Sequence, residues 1–437
     1  MTETLRENRL IVAVTGANAG LGLGYCHRLL RQLSSLPAPD SQIHPIDAPE
    51  SSSAAESNAP TPVTLTLILA CRNKSKAEQA IRELHHRHAM GLAGRKIRGE
   101  KEVPGWREGL RIVFEELDVD RVGGKGGVLD FAERIRKGYP YLTTLVLNAG
   151  MGAFLGLDWF TAARQFFTDP VGCVSEPDYI IQEKGKLSAD GERGGVWGVN
   201  VLSTYILSKE LRNHLGKTPK DLPIAPRIIY VSSARADPRF LPPNPATDPQ
   251  LVDTVESYDA SKYVSELVTS DLDREFAETK DDGQVVRCLR VDPGVVYTGM
   301  FKPFLPLLLE WCMVLTFYIS RWLGSTVHTI SVETAAIGMT FLTLASSSSL
   351  LPAPTDLSKS VSETRHSPAK YVSSVTRFGS PRVRVGQVKE WEKYGREIRV
   401  WRDECDRVWK EWRKRAQDGW IGDDSGEVVG ESGVKTD

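Results

Sequence analysis

Short apolar segments alternate with longer, more polar segments along most of the chain. The apolar segments are rich in Val, Ile and Leu and are three to eight residues long, as expected of strands that are buried on both faces of a sheet. Because the segments between them are long enough for helices, the pattern predicts an α/β fold with a doubly wound parallel sheet. The predicted strands are residues 10–14, 64–71, 111–114, 145–147, 228–231 and 285–291.

Three segments interrupt this alternation and are predicted to be surface insertions. Residues 34–62 are rich in Pro, Ser and Ala, residues 91–107 in Gly, Lys and Arg, and residues 345–368 contain a serine run and three prolines. A doubly wound sheet tolerates such loops at its edges. The predicted division of the chain is a single catalytic domain over residues 8–330, a C-terminal extension over residues 331–418, and a disordered, acidic and Gly-rich tail over residues 419–437.

The most apolar segment is residues 307–319, with only two clearly polar positions. It is shorter than the about 20 residues that a membrane span needs. It lies within a stretch, residues 301–323, that carries aromatic residues at both ends and Lys302 and Arg321 as flanking cations. This composition suits a segment that lies in a bilayer interface. The alternatives are a helix buried in the core or a dimer interface, and a true membrane span.

The region after residue 388 has the pattern of an amphipathic helix. Its apolar positions recur at intervals of three, four or seven residues, which places them on one face of a helix. Such a face packs on the rest of the domain or on a partner subunit. The alternative is a helix that docks on a membrane or an enzyme complex. The positions are Trp391, Ile398, Trp401, Cys405, Val408 and Trp412.

Composition limits the partners and metals. The chain has 437 residues, 41% hydrophobic content and a formal net charge of −1, so no global basic field indicates nucleic-acid binding. The six cysteines show no Cys-x-x-Cys spacing, which fits a reducing compartment better than a disulfide framework. His85, His86 and His88 have no accompanying Cys or carboxylate pattern, so we interpret them as a solvated surface and predict no metal site. Residues 1–8 are polar and show no signal-peptide pattern.

A glycine-rich turn, Thr15-Gly-Ala-Asn-Ala-Gly-Leu-Gly22, follows the first predicted strand and precedes a predicted helix over residues 23–33. Glycines at such a place let the backbone turn tightly and approach a pyrophosphate, which the amides of the following helix bind. The turn therefore predicts a dinucleotide site, with a plain glycine turn as the alternative.

Tyr258 and Lys262 lie four residues apart in Ser257-Tyr-Asp-Ala-Ser-Lys262, and a helix places them on one face. An ammonium close to a phenol stabilises the phenolate and lowers the pKa of the tyrosine. The pair therefore predicts an acid or base that works near neutral pH. Taken alone, the spacing is also common on ordinary helix surfaces.

These features, in this order, resemble the short-chain dehydrogenase/reductase family. The spacing Gly-x-x-x-Gly-x-Gly at 16, 20 and 22 is followed by Leu117-Asp-Val119, Asn148-Ala-Gly150, Asn200, Ser232-Ser233, the Tyr258/Lys262 pair and Pro293-Gly-Val-Val-Tyr-Thr298. The resemblance implies a Rossmann-type fold. It also implies that the region after Thr298 forms a substrate lid, here the apolar residues 301–323. Together with the residue patterns it predicts cofactor contacts from Thr15, Gly16, Asn18, Gly20, Leu21, Gly22, Arg72, Lys76, Asp118, Asn148, Gly150, Tyr258, Lys262, Pro293, Val296 and Thr298.

The resemblance also implies the catalytic roles. Tyr258 would donate a proton to a substrate carbonyl oxygen, and Ser233 would hydrogen-bond the same oxygen. Lys262 would bias the phenol and hold the ribose hydroxyls, and Asn200 would hold a relay water. The 25 positions that separate Ser233 from Tyr258 exceed the usual family gap, so the inserted residues must fold away from the site.

The residues after the second predicted strand indicate the choice of cofactor. An acidic residue there would bind a ribose 2′-hydroxyl and repel a 2′-phosphate. This strand ends instead at Arg72, followed by Lys74 and Lys76. Because a guanidinium pairs well with a phosphate, the sequence predicts NADP(H). The alternative is that these cations only decorate the start of the helix predicted over residues 76–88.

Residues 148–159, 166–175, 179–182 and 257–263 further resemble the branch of fungal 3-keto-steroid reductases of sterol C4-demethylation. This resemblance implies NADPH-dependent reduction of a 3-keto sterol to the 3β-alcohol in ergosterol biosynthesis. It also implies an apolar sterol ketone as substrate, a location at the cytosolic face of the endoplasmic reticulum membrane or at lipid droplets, and association with a sterol enzyme complex. Two alternatives are a reductase of another lipid carbonyl, such as retinal, and a non-catalytic, membrane-associated scaffold of such a complex.

Overall fold

A computed structural model describes residues 8–35, 38–48, 63–97, 103, 105–279, 283–297, 307–354 and 367–418. These residues form one large sheet and one small hairpin. The strands are β1 (Arg9–Thr15), β2 (Thr64–Cys71), β3 (Arg111–Glu116), β4 (Thr144–Leu147), β5 (Phe154–Leu157), β6 (Ile180–Gln182), β7 (Arg227–Val231), β8 (Arg287–Asp292), β9 (Ala369–Val375) and β10 (Pro381–Gln387).

The large sheet has the order β3-β2-β1-β4-β7-β8-β9-β10. Every neighbouring pair from β3 to β9 is parallel, and β10 is antiparallel to β9. β5 and β6 form a separate antiparallel hairpin. The carboxyl ends of the parallel strands therefore meet along one edge of the sheet, where ligands bind in folds of this kind.

Helices cover both faces of the sheet. The α-helices are α1 (Gly20–Leu33), α2 (Lys74–Ile97), α3 (Trp106–Gly109), α4 (Val128–Gly138), α5 (Trp159–Thr168), α6 (Pro170–Ser175), α7 (Gly195–Trp197), α8 (Ser203–Gly216), α9 (Ser257–Glu278), α10 (Leu307–Trp322), α11 (Val332–Ala335), α12 (Ile337–Leu344), α13 (Trp391–Tyr394) and α14 (Ile398–Gln417). A π-helical turn, Gly198–Leu202, joins α7 to α8, and 3₁₀ turns occur at Pro39–Gln42, Pro238–Phe240 and Ser347–Ser349.

The alternation of side chains along β1 shows how the two cores form. Ile11 and Ala13 pack in one buried cluster with α4, α8, α9 and α14, whereas Leu10, Val12 and Val14 pack in the other with α1, α2 and α12. Successive residues of a strand point to opposite faces, so a continuous apolar run is needed when both faces are covered. The predicted α/β fold with a doubly wound, mostly parallel sheet is confirmed.

The sheet continues beyond residue 330, where the predicted catalytic unit ends. β9 and β10 add two strands to the same sheet, and neither strand was predicted. The sequence of β9 is not an apolar run, because Lys370, Ser373 and Ser374 occupy buried positions. Buried polar residues in a strand hide the hydrophobic pattern on which strand prediction relies.

The prediction that residues 91–107 form a surface insertion is partly wrong. α2 extends to Ile97, and Trp106 is buried at the start of α3. Trp106 donates a hydrogen bond from its indole nitrogen to Nε2 of His88 over 2.8 Å. His88 is therefore a buried partner of Trp106, and its interpretation as a solvated residue is also wrong.

The insertion predicted over residues 34–62 is described for residues 38–48, and this part is not only a surface loop. Asp40 is buried, and its Oδ2 lies 2.6 Å from Nε of Arg28 on α1. In the third predicted insertion, Leu350 is likewise buried, at the edge of the core around α12. Residues 49–62, 355–366 and the predicted disordered tail, residues 419–437, lie outside the described residues.

The predicted amphipathic helix after residue 388 forms α14, with α13 before it. The six predicted apolar positions are all buried against the core that contains α8 and α9. Tyr205 of α8 donates a hydrogen bond to Oδ1 of Asp406 over 2.6 Å, and Trp409 donates to Oε1 of Glu210 over 2.9 Å. The interpretation that this face packs on the domain is confirmed.

Candidate active site

The glycine turn between β1 and α1 has the shape that a dinucleotide site requires. Gly16 and Gly20 have φ values of 66° and 53°, a region that favours glycine. A Cβ built on Gly22 would lie 2.5 Å from the carbonyl oxygen of Gly16, so no larger residue fits there. Asn18 and Leu21 are half-buried in the same turn.

Thr15 and Asn148 fix this turn to the neighbouring strand. The hydroxyl of Thr15 accepts hydrogen bonds from the backbone amides of Asn148 and Ala149, over 3.0 and 2.9 Å. The side-chain amide of Asn148 donates to the carbonyl oxygens of Thr15 and Gly16, over 3.0 and 3.2 Å. In this structure both predicted cofactor residues therefore act as supports of the turn.

Three further residues that are predicted to contact the cofactor, Arg72, Lys76 and Asp118, follow the next two strands. Arg72 and Lys76 are exposed just after β2, and no acidic residue lies in the first turn of α2. Asn73 caps this helix by accepting a hydrogen bond from the amide of Lys76 over 2.9 Å. Asp118 is half-buried just after β3, and its amide donates to the carbonyl oxygen of Gly126 over 2.7 Å.

Tyr258 and Lys262 lie on one side of α9, as predicted. Nζ of Lys262 is 5.9 Å from the centre of the Tyr258 ring and 5.2 Å from that of Tyr230. The ammonium is buried and donates a hydrogen bond to the carbonyl oxygen of Val231 over 2.9 Å. The end of β7 therefore fixes the position of the lysine.

The direction predicted for the pKa of Tyr258 is wrong. Burial, followed by the charge of Asp259, raises the pKa of Tyr258 to about 12, although a hydrogen bond with Ser233 and the charge of Arg235 act in the opposite direction. Burial also lowers the pKa of Lys262 to about 8. Desolvation of both groups outweighs the attraction that the i, i+4 spacing suggested. A raised pKa nevertheless keeps Tyr258 in the protonated form that a proton donor needs.

The two serines at the end of β7 have different partners. The hydroxyl of Ser232 donates to Oε1 of Glu266, on the buried side of α9. Ser233 interacts with the Tyr258 hydroxyl and accepts a hydrogen bond from the amide of Arg235 over 3.2 Å. The structure therefore places the predicted residue, Ser233, beside Tyr258, and the long insertion between them does not separate the two.

Asn200 lies in the π-helical turn, an element that often marks functional sites. Its side-chain amide donates to the carbonyl oxygen of Met151 and to the hydroxyl of Ser261, both over 2.9 Å, and its Oδ1 accepts from the amide of Met151 over 2.9 Å. A Cβ built on Gly150 would lie 3.1 Å from Oδ1 of Asn200 and 3.6 Å from Nζ of Lys262. Asn200 therefore ties the loop after β4 to α9, and its predicted role in holding a water stays a prediction.

The loop after β8 contains further residues that are predicted to contact the cofactor. Gly294 has a φ of 74°, and its amide donates to Oδ1 of Asp292 over 2.8 Å. The hydroxyl of Thr329 donates to the carbonyl oxygen of Pro293 over 3.0 Å, and Val296 forms a bridge with Ile330. Thr298, also predicted to contact the cofactor, lies outside the described residues.

Sequence reasoning missed a polar network beside Tyr258. Oε1 of Gln182 accepts a hydrogen bond from the amide of Tyr258 over 2.9 Å, and Nε2 of Gln182 donates to Oδ2 of Asp259 over 2.7 Å. Arg235 pairs with both carboxylate oxygens of Asp259 and donates to the carbonyl oxygen of Pro177 over 2.5 Å. The β5–β6 segment is thereby joined to α9. The sequence held no signal for this contact, because its members are far apart along the chain.

The apolar segment predicted as a lid forms α10 from residue 307 onward, and residues 298–306 lie outside the described part of the chain. Only Phe317 and Ser320 of α10 are buried, so its interpretation as a core helix is wrong. Leu308 and Trp311 are 73% and 67% exposed. In the part of the chain that the structure describes, no helix combines the length and the apolar character that crossing a membrane requires. Among the same residues, no group of three or more His, Cys, Asp or Glu side chains could hold a metal ion.

Fungal 3-keto-steroid reductases are similar in sequence to this chain. The 3-keto-steroid reductase ERG27 of Saccharomyces cerevisiae is 27% identical over 337 residues, which are 77% of this chain and 81% of the yeast protein. The 3-keto-steroid reductase erg27 of Schizosaccharomyces pombe is 28% identical over 376 residues, which are 86% of this chain and 89% of that protein. The chain is a homologue of the fungal 3-keto-steroid reductases. The predicted resemblance is confirmed, although no family model matches the chain.

The chain is also similar to reductases of known structure. Salutaridine reductase from Papaver somniferum matches with a TM-score of 0.44 and 16% identity, over 77% of this chain and 96% of that chain. L-sorbose reductase from Gluconobacter frateurii matches with a TM-score of 0.43 and 14% identity, over 78% of this chain and 92% of that chain.

Proposed function

We propose that the protein is an NADPH-dependent oxidoreductase that reduces a 3-keto sterol intermediate to the 3β-hydroxysterol, in the C4-demethylation step of ergosterol biosynthesis. The observation that carries this proposal is the meeting of Ser233, Tyr258 and Lys262 at the carboxyl edge of the sheet, beside the glycine turn. The similarity to fungal 3-keto-steroid reductases supports the substrate class.

The glycine turn fits the pyrophosphate of a nicotinamide dinucleotide. Ala19, at the N-cap of α1, has no capping side chain, which leaves the first amides of the helix for a ligand. A Cβ built on Gly20 would meet no atom of the described residues within 4 Å, so the turn is open on that side. Arg72 and Lys76 would pair with the 2′-phosphate of NADPH, which supports NADP(H) over NAD(H).

The side chains have distinct tasks in the reduction. Bound NADPH supplies the hydride that the carbonyl carbon accepts. Tyr258 donates its proton to the carbonyl oxygen, and the hydroxyl of Ser233 hydrogen-bonds the same oxygen. Lys262 holds the ribose hydroxyls and stabilises the phenolate that Tyr258 leaves after donation.

The exposed apolar surface supports an apolar substrate that is reached from a membrane. α10 packs against α6, and the tip of the β9–β10 turn adjoins the C-terminal end of α10 at Arg321. Phe167 of α5, Trp311 of α10 and Phe378 at the turn are all strongly exposed. Arg321 and Arg377 flank this surface with positive charge. Apolar and aromatic side chains with flanking cations suit the interface of an anionic bilayer, and we place the protein at the cytosolic face of the endoplasmic reticulum or at lipid droplets, with a sterol enzyme complex as partner.

Purified full-length protein tests the reaction directly. NADPH oxidation is measured with a 3-keto sterol, with retinal and with no substrate. We expect turnover with the 3-keto sterol and its loss in Tyr258→Phe, which keeps the ring but removes the proton, while NADPH binding stays within about twofold because the hydroxyl is not a main binding group. Turnover with retinal alone would favour a reductase of another lipid carbonyl, and the absence of turnover with both carbonyl compounds would favour the non-catalytic scaffold.

The cofactor choice has a separate test. Arg72→Asp replaces a group that pairs with the 2′-phosphate by one that repels it and binds a ribose hydroxyl. We expect the ratio of kcat/KM for NADPH to that for NADH to fall by about 100-fold or more. Arg107→Asp, an exposed substitution just before the start of β3 and so away from the carboxyl ends of the strands, is the matched control and should leave the ratio unchanged. An unchanged ratio in Arg72→Asp would assign the phosphate contact to another residue.

A further inference from the structure

Lys370, on β9, is a buried cation in the centre of the site that the catalytic pattern does not include. Its Nζ lies 2.7 Å from Oε1 of Glu266 and 3.6 Å from Oδ2 of Asp292. It also donates a hydrogen bond to the carbonyl oxygen of Ser233 over 3.1 Å. One ammonium therefore joins α9, the end of β7 and the end of β8.

Glu266 is the buried anion of this group. It lies one helical turn after Lys262 on α9, and its side chain is fully buried. Oε1 accepts a hydrogen bond from the hydroxyl of Ser232 in addition to its contact with Lys370. A buried charge is costly unless it is paired and hydrogen-bonded. Oε1 of Glu266 meets both conditions, whereas Oε2 has no hydrogen-bond partner among the described residues.

The positions of these contacts indicate more than a structural ion pair. The carbonyl oxygen that Lys370 holds belongs to Ser233, the residue whose hydroxyl interacts with Tyr258. Asp292, the second anion near Lys370, orients the loop after β8 through the amide of Gly294. Movement of the ammonium would therefore displace groups on two sides of the catalytic tyrosine.

We propose that Lys370 and Glu266 are positioning residues of the reductase site. Their buried ion pair fixes the backbone of Ser233 beside Tyr258, and the carboxylate of Glu266 keeps Lys262 charged. This inference rests on the proposed reductase function. It assigns to β9, the last parallel strand of the sheet, a part in the geometry of the reaction.

The charges around the two residues agree with these roles. Burial lowers the pKa of Lys370, but the carboxylates of Glu266 and Asp292 outweigh it, so that the pKa is raised and the ammonium stays charged. Burial lowers the pKa of Lys262 to about 8, and the charges of Glu266 and Asp292 limit that decrease. The titratable and charged groups that face Lys262 or Glu266 are Tyr230, Tyr258, Tyr263, Arg290, Asp292 and Lys370.

Lys370→Met tests the positioning of Ser233. The methionine removes the donor to the Ser233 carbonyl oxygen, so we expect kcat for the sterol ketone to fall by roughly 10- to 100-fold, with KM for NADPH within about threefold. Because Lys370→Met leaves Glu266 unpaired, the double variant Lys370→Met/Glu266→Gln removes the lone charge and keeps the test valid if the single variant folds poorly. At a pH well below the pKa of Lys262, where the loss of the carboxylate does not deprotonate that lysine, it should show the same loss of kcat.

Glu266→Gln tests the charge of Lys262. The reaction needs protonated Lys262, so activity and NADPH affinity should fall as pH rises through about 8. Removal of the carboxylate takes away an interaction that raises the pKa of Lys262, and the fall should move to lower pH by about one unit. Binding of NADPH, followed by tryptophan fluorescence, reports this shift without any turnover.

Arg28→Met is the matched control, because it breaks another buried ion pair, with Asp40, away from the strand ends. It should lower the Tm and leave kcat of the folded protein and the pH profile unchanged. If the Lys370 and Glu266 variants behave like Arg28→Met, the pair is only structural and the inference fails. If the unaltered protein reduces no ketone but the pH shift in NADPH binding appears, the proposed reaction fails and the link from Glu266 to Lys262 stands. If NADPH does not bind, both fail.

Discussion

Two helices rich in aromatic residues, α10 and α14, differ in burial: the apolar side chains of α14 lie in the core, and most of those of α10 lie at the surface. Trp401 and Cys405 of α14 are fully buried, whereas Leu308 and Trp311 of α10 are among the most exposed large side chains of the described residues. α14 is the more polar helix, since charged residues occupy most of its other positions. The less apolar helix is therefore the one that belongs to the core.

The difference teaches that the arrangement of apolar residues matters more than their number. In α14 they form one stripe, so only one face can pack, and the polar face makes ion pairs such as Arg402 with Asp271 and Glu275. α10 is apolar on most sides, and most of its apolar side chains are exposed. It packs against α6, Phe317 packs against His328, and the hydroxyl of Tyr297 donates a hydrogen bond to Glu310. Its outer face is left for a different environment, which we propose to be a membrane surface.

The largest expected effect is on stability and comes from a substitution in α14, the buried helix. Trp401→Ala opens a cavity in the core beneath α14 and should lower the free energy of unfolding by about 3–5 kcal/mol. Trp311→Ala in α10 removes a ring of the same size from an exposed place and should change it by less than about 0.5 kcal/mol. Urea unfolding followed by circular dichroism measures both. Equal losses in the two variants would contradict the assignment of α10 to the surface.

Much of the fold could be predicted because most strands follow a simple rule. β1, β2, β4 and β7 are apolar on both faces, and their sequence runs show it directly. β9 departs from the rule because Lys370, Ser373 and Ser374 occupy buried positions, from which they hydrogen-bond groups on neighbouring elements. The insertion before β3 was misjudged for a related reason, since the contact between Trp106 and His88 joins residues 18 positions apart.

The candidate site likewise has residues that could be predicted from the sequence and residues that could not. The glycine turn, Ser233, Tyr258 and Lys262 could be placed from spacing and order, because each follows directly from a strand end or a helical turn. Gln182 and Glu266 could not, because their partners come together only when distant elements pack. The pKa of Tyr258 was predicted in the wrong direction because burial, which spacing does not reveal, is its largest cause.

A smaller effect, on membrane binding, is expected from substitutions in α10, the exposed helix. Leu308→Glu/Trp311→Glu places two carboxylates on the outer face of α10 and should weaken binding to anionic phospholipid vesicles by about 10- to 100-fold, because apolar area no longer enters the interface. The free energy of unfolding should change little. Lys410→Glu, at an exposed position of α14, changes the net charge by the same two units and is the matched control. Equal weakening by the control would show that binding depends only on net charge.

The smallest effect should come from the tip of the β9–β10 turn, which extends the comparison beyond the two helices. Phe378 is 94% exposed, and a Cβ built on the adjacent Gly379 would lie 3.2 Å from Nη1 of Arg321, so the tip adjoins the end of α10. Phe378→Ser should weaken vesicle binding by about 3- to 10-fold, as expected when one ring is only partly inserted. Co-sedimentation with vesicles measures it, and Ser380→Ala in the same turn is the control. If Phe378→Ser binds like the unaltered protein while the α10 variant does not, the docking surface ends at α10, and the exposure of Phe378 has another cause.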